Sequence, residues 1–225
     1  MPLTRRNALR LILGLGGTVL ASGAAGLVWI QRKFDPRTPI DYPRPSSPRK
    51  AAAPGSLSPT PACDDGDAEP TDSSVEGPFY APNTPERRVL REPGIPGTPL
   101  LLTGRVLTQD CRPVAGAVLD FWSCDGAGVY DNEGFKLRGH QFTDASGGYR
   151  LETVKPSDYK QYGLHRTPHI HVKVQGPGSR LLTTQLFFPG EPLNDQDYLV
   201  RDSLVIDLAR SGDGSLTGRF DFVLG

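Results

Sequence analysis

After residue 70, apolar and polar side chains alternate over short runs, Gly, Pro, Asp and Ser break the runs at close intervals, and no helical period persists for more than a few turns. Successive side chains of a strand point to opposite faces. The alternation therefore predicts strands over 100–107, 115–123, 149–154, 169–175, 181–188, 203–208 and 220–224. Asp110-Cys111-Arg112-Pro113 and Asp144-Ala145-Ser146-Gly147-Gly148 supply turn chemistry between them. The expected fold is all-β: a single β-sandwich of antiparallel strands spanning 63–225, long enough for two sheets around one core.

The N-terminal part is of another kind. Arg5, Arg6 and Arg10 precede an uncharged run over 11–30, the layout of a twin-arginine export signal, so 1–30 is expected to engage the twin-arginine export machinery. Ala8 stands where a larger apolar residue is commoner. Ser22-Gly23-Ala24 and Gly23-Ala24-Ala25 offer cleavage sites, but twenty uncharged residues, about 30 Å as a helix, could also stay as a membrane anchor. Either way the domain is expected outside the cytoplasm, in the periplasm or beyond. Residues 31–62 form a Pro-rich linker, with eight prolines between Pro36 and Pro61 that fix φ and remove amide donors.

The chain is formally neutral, yet residues 1–60 carry nine Lys/Arg against two Asp/Glu, and residues 61–225 sixteen against twenty-three. An acidic folded part repels phosphate backbones, which argues against nucleic acid and for a small diffusible substrate. A homo-oligomer is compatible with the sequence, which leaves oligomeric state open.

The most restrictive local feature is His169-Ile170-His171. On a strand the two imidazoles share one face while Ile170, Val172 and Val174 point the other way, so the apolar face packs and the histidine face is expected free. Two neutral imidazoles suit one metal ion, and a hard trivalent cation favours phenolate oxygen for its other ligands. Tyr130 and Tyr159 lie upstream, and Arg166 stands three residues ahead of His169. The bland alternative is a solvated face carrying two histidines.

Glu76-Gly77-Pro78-Phe79-Tyr80, Phe121-Trp122-Ser123-Cys124-Asp125-Gly126-Ala127-Gly128-Val129-Tyr130, Lys155-Pro156-Ser157-Asp158-Tyr159, Arg166-Thr167-Pro168-His169-Ile170-His171 and Gln185 follow one another in the order seen in intradiol ring-cleavage dioxygenases. Over 63–190 the chain resembles the short, exported branch of that family, with no helical N-terminal domain. The resemblance implies that Tyr130, Tyr159, His169 and His171 bind a non-haem Fe(III), Tyr159 and His171 axially. It implies Arg166 against the substrate ring, Gln185 supporting it, and Gly77, Pro78 and Phe79 closing one side of the pocket. One departure stands out: Lys160 occupies the place of a common Pro, and 161–165 read as a loop insertion, which makes Tyr162 a rival ligand. His165 and His140 read as solvated loop residues.

A trivalent ion ionises phenols that would otherwise titrate near pH 10. The implied reaction takes an aromatic diol and dioxygen to a cis,cis-muconate-type dicarboxylate. Tyr159 acts as ligand and then general base, and Arg166 stabilises charge on the ring. Two other readings stay open. Leu102-Thr103-Gly104-Arg105-Val106 and the turns after it also resemble transthyretin-like and carboxypeptidase-regulatory β-sandwiches, which are binding modules. A ferrous or copper oxidase could instead combine the histidines with Asp158. Of the three cysteines, Cys111 should lie in a turn about 30 Å of strand away from Cys124, so the expected pair is Cys63 with Cys124, leaving Cys111 free.

Overall fold

The computed structural model describes residues 68–161 and 163–225. The signal and linker, Cys63 and the rival ligand Tyr162 lie outside the described residues. Among those described, no helix is long and apolar enough to cross a membrane.

The described residues form eleven strands: β1 Pro99–Thr108, β2 Val118–Trp122, β3 Arg138–Phe142, β4 Gly148–Val154, β5 Tyr159–Gln161, β6 Leu164–Arg166, β7 His169–Gln175, β8 Leu182–Phe187, β9 Asp207–Arg210, β10 Leu216–Arg219 and β11 Phe222–Leu224. One sheet has β1 at its centre, flanked by β4 on one edge and by β10 and β11 on the other, with β9 outside β10. The other runs β3-β2-β7-β8, antiparallel throughout. Phe121 of β2 meets Tyr149 of β4 with centroids 5.8 Å apart, and Tyr149 in turn meets Phe222 of β11 at 5.6 Å, so aromatic rings bridge the two layers. Leu102, Leu119, Leu151, Val172, Val174 and Phe222 are wholly excluded from solvent between them.

The all-β expectation holds, with corrections. The sheets are not uniformly antiparallel, because β1 runs parallel to both β10 and β11; alternation marks a strand but carries no information about its direction. The expected strand at 203–208 is a 3-10 turn, Asp202–Leu204, followed by β9. Gln161, Leu164 and His165 do not lie in an open loop: Gln161 pairs with Leu164 and Lys160 with His165 in the β5–β6 ribbon. His140 is likewise no loop residue: it sits on β3, partly buried, its Nδ1 2.9 Å from the Thr84 carbonyl. His165 is exposed as expected, but on β6 and 2.6 Å from Asp158. The cysteine assignment is reversed, since Cys111 is disulfide-bonded and Cys124 is free and buried. Cys124 packs instead with Trp122 and Tyr130, its thiol pointing at the Ser157 carbonyl.

Residues 68–98 wrap the sandwich as a strap. Ser74 N–H bonds the Thr183 carbonyl on β8, Arg87 N–H bonds the His140 carbonyl on β3, and Leu90 N–H bonds the Glu152 carbonyl on β4. The strap satisfies edge-strand groups that would otherwise face water, and it covers the outer face of the β3-β2-β7-β8 sheet.

Candidate metal centre

Register lines up the outer face of that sheet in rows. Trp122 pairs with His171 and His171 with Gln185, so the three share one row, and His169 with Phe187 forms the next. The histidine face is not free. His169 and His171 are each 1% exposed because the strap lies over them. Burial is what distinguishes this pair from a solvated face.

Four side chains converge there. The Nε2 atoms of His169 and His171 are 3.1 Å apart. Tyr159 lies with its ring centroid 5.6 Å from His169 and 5.4 Å from Tyr130. The β5–β6 ribbon sets Tyr159 directly opposite Arg166, which delivers a phenol and a guanidinium to the same place from a hairpin of three-residue strands. Tyr130 arrives from the segment between β2 and β3. Its turn is held by the Asp125 carboxylate, which accepts the amides of Ala127 and Val129, and by Asp131, which accepts those of Glu133, Gly134 and Lys136.

Charge and protonation are arranged for a cation. His169 Nδ1 donates to the Thr167 carbonyl at 2.6 Å, which places the free lone pair on Nε2. Burial, then the Arg166 guanidinium, holds the His169 pKa well below its ordinary value, so this imidazole is neutral. Burial and then His169 do the same to His171. Burial pushes the Tyr130 phenol well up, and the neighbouring Tyr159 phenol adds to it; among the described residues, Tyr130 Oη is buried without a hydrogen-bond partner of good geometry. Two neutral imidazoles with adjacent Nε2 atoms, beside an orphaned phenol oxygen, fit a hard cation that ionises the phenol and takes both lone pairs. Among the described residues no three His, Cys, Asp or Glu side chains are placed to hold a metal. Asp158 in particular is exposed and engaged with His165 and Ser157, which disfavours a site of two histidines and this carboxylate.

Arg166, Gln185, Gly77 and Phe79 lie around these four side chains. Arg166 Nη2 donates to Gln185 Oε1 at 2.7 Å, and Gln185 Nε2 donates to the Val75 carbonyl at 2.8 Å, tying the guanidinium to the strap. Gln185 is fully buried, not part of a polar outer face. Gly77 has φ +74°, and a Cβ there would stand 3.1 Å from His171 Cε1, so only glycine lets the strap come this close. Phe79 stacks on Tyr130 at 4.1 Å and 16°, while Pro78 is exposed. Trp122 stacks on the His171 ring at 4.8 Å and 6°.

Two residues escaped the sequence reading. Arg138, 2% exposed, donates to the carbonyls of Asp131 and Phe79 and lies 5.9 Å from the Tyr130 ring centroid. Asp197, 4% exposed, accepts Arg166 Nε at 2.8 Å. Neither lies in an alternating pattern that would mark it, and the one available signal was a charged residue next to buried neighbours.

Comparison with known proteins agrees with this geometry. The family model described as Dioxygenase matches residues 75–225. Over 182 residues the chain is 31% identical to catechol 1,2-dioxygenase of Candida albicans, covering 68% of this chain and 60% of that protein. It is 33% identical over 177 residues to 6-chlorohydroxyquinol 1,2-dioxygenase of Cupriavidus pinatubonensis, covering 68% and 64%. The match thus spans somewhat under two thirds of those relatives' length. The dioxygenase domain of a dioxygenase carbohydrate-binding protein fusion from Streptomyces sp. SirexAA-E is similar at TM-score 0.64 and 46% identity, over 69% of this chain and 98% of that one. For 3-chlorocatechol 1,2-dioxygenase from Rhodococcus opacus 1CP the values are 0.66 and 27%, over 70% and 73%. With two thirds of the chain matched by the family model and the four candidate ligands gathered at one buried place, the chain belongs to the intradiol ring-cleavage dioxygenase family.

Proposed function

We propose that this chain is a ferric-iron-dependent dioxygenase that opens a catechol-type aromatic diol between its two hydroxylated carbons, giving a cis,cis-muconate-type dicarboxylate. The observation that carries the reading is the approach of two buried, neutral imidazoles to two phenols with no carboxylate among them. Tyr130, Tyr159, His169 and His171 would hold the ion. A trivalent iron bound there would keep both phenols ionised at neutral pH and act as a Lewis acid toward the diol.

The chain's own groups divide the remaining work. Tyr159 is less buried than Tyr130, and Arg166 opposes the rise that burial imposes on its pKa. Its Oη would therefore be the group that accepts one of the diol's protons. Tyr130, enclosed by Phe79, stays in place. Arg166 stabilises the negative charge that develops on the ring, and Gln185 holds it there. Gly77 and Phe79 shut the strap side against water. Both atoms of dioxygen enter the product, one in each carboxyl group.

The test is an aerobic assay of iron-loaded protein against a panel of catechols, with dioxygen uptake and product mass from labelled dioxygen. Tyr159→Phe and Tyr162→Phe are run alongside. Stoichiometric uptake that depends on Tyr159 supports the reading; loss of turnover in Tyr162→Phe alone overturns the ligand assignment. Residues 1–30 we read as a twin-arginine signal or anchor that delivers the domain outside the cytoplasm. Replacing Arg5 and Arg6 by Lys should retain the protein inside the cell, and unchanged export would refute this.

A further inference from the structure

We infer that Asp197, in the segment between β8 and β9, is the positioning residue that fixes Arg166 and His169 together, acting on the first directly and on the second through Thr167. The inference rests on the proposed reading of the site.

One carboxylate serves both elements. Asp197 Oδ2 accepts Arg166 Nε at 2.8 Å and the Thr167 amide at 3.0 Å, and Oδ1 accepts the Leu199 amide at 3.1 Å. The Thr167 carbonyl is the acceptor of His169 Nδ1 at 2.6 Å, so the peptide units that flank Thr167 join Asp197 to the imidazole. The Thr167 hydroxyl is 2.7 Å from Asn194 Oδ1, and Asn194 Nδ2 donates to the Phe188 carbonyl at 2.8 Å, which ties the same segment back to the end of β8.

The side chains of Arg166 and Asp197 are 6% and 0% exposed. A buried guanidinium without its counter-charge would turn toward water or another acceptor. With Nε held by Asp197 and Nη2 by Gln185, the plane of the guanidinium is fixed by two independent contacts, and Nη1 has no hydrogen bond to any of the described residues. That edge is the one available to charge on a bound ring. The arrangement resembles the second layer of hydrogen bonds that orients metal-binding histidines elsewhere, except that here one carboxylate serves a ligand and a substrate-facing cation together.

The test uses full-length, iron-loaded protein and a double-mutant cycle of Asp197→Asn with Arg166→Gln. Asp197→Asn is expected to lower kcat about 100-fold, the scale of an ångström of misplacement, with KM changed much less. In the Arg166→Gln background its effect on kcat per bound iron should be much smaller than in the wild type, because the part that acts through Arg166 is already gone. Independent multiplicative losses would overturn the Arg166 half of the assignment. Iron release to a chelator is the second readout. It should be faster in the double variant than in Arg166→Gln alone, since only the former loosens the Thr167–His169 link, and equal rates would overturn the His169 half. The double variant removes the buried pair as a unit and serves the comparison even if Asp197→Asn alone fails to fold. If the wild type turns over no diol at all, the proposed activity fails while the iron-release comparison still decides the role of Asp197.

Discussion

The contact between Gly77 and His171 can be tested by adding one methyl group. Gly77 has φ +74°, and an alanine Cβ would lie 3.1 Å from His171 Cε1 and 3.6 Å from Nε2. Two effects follow, and they are separable. The left-handed backbone costs an L-residue about 1–2 kcal/mol wherever it occurs, which lowers Tm by roughly 2–8 °C in a domain of this size. The steric contact is specific to the imidazole, whose ring is already stacked on Trp122 at 4.8 Å. Gly94 provides the control, since its φ is +83° and a Cβ there meets nothing within 4 Å. Gly94→Ala and Gly77→Ala should therefore melt within a few degrees of each other, while only Gly77→Ala loses iron affinity, by about 10- to 100-fold as for other perturbed outer-layer partners of a metal ligand. Thermal melts and competition against an iron chelator measure the two effects. If Gly77→Ala holds iron as tightly as Gly94→Ala, the strap does not set the position of His171.

Three further expectations concern the fold around the site. Arg138→Lys keeps the charge but cannot span the Asp131 and Phe79 carbonyls, and should cost about 1–3 kcal/mol in a urea titration; an unchanged midpoint would show that those bonds contribute nothing. Burial, and then Asp221, holds the Tyr149 phenol well above its usual pKa. The unfolded chain therefore loses this proton first, so the stability from Tyr149 is intact below about pH 10 and falls by about 1.4 kcal/mol per pH unit above it. Tyr149→Phe should flatten the alkaline fall in Tm, and a wild-type slope in that variant would contradict the sign. Peptide mapping should find Cys111 in a disulfide, for which the sequence leaves Cys63 as partner, and Cys124 alkylated only after unfolding, because burial pushes its thiol up to about 12. A Cys63–Cys124 peptide would refute this.

The strands that alternation located are those with one apolar and one polar face. β1, β4, β7 and β8 fall within a residue or two of expectation because each buries a stripe such as Ile170, Val172 and Val174. β3 was invisible because its buried residues include Arg138 and Gln141, whose burial depends on carbonyls and amides brought by distant segments. β5 and β6 are too short to show a period, and β10 and β11 owe their parallel pairing to a return of the chain that no local pattern encodes. At the site, the paired histidines and Arg166 were legible from spacing and resemblance. The burial of Gln185 had no local signal, because the strap that covers it is some hundred residues away in sequence. Asp197 showed no more than a charge beside apolar neighbours, since its contacts with Arg166 and Thr167 are made across some thirty residues of chain.

In the proposed centre two phenols and two imidazoles share one ferric ion, and the visible absorption of purified, iron-loaded protein, with iron content determined on the same sample, reads that arrangement. One iron per chain with a broad ferric-tyrosinate charge-transfer band, weakened in Tyr130→Phe and lost with the iron in His171→Ala, is the predicted result. Protein that holds one iron yet is colourless, or whose band is unchanged in both variants, would contradict it.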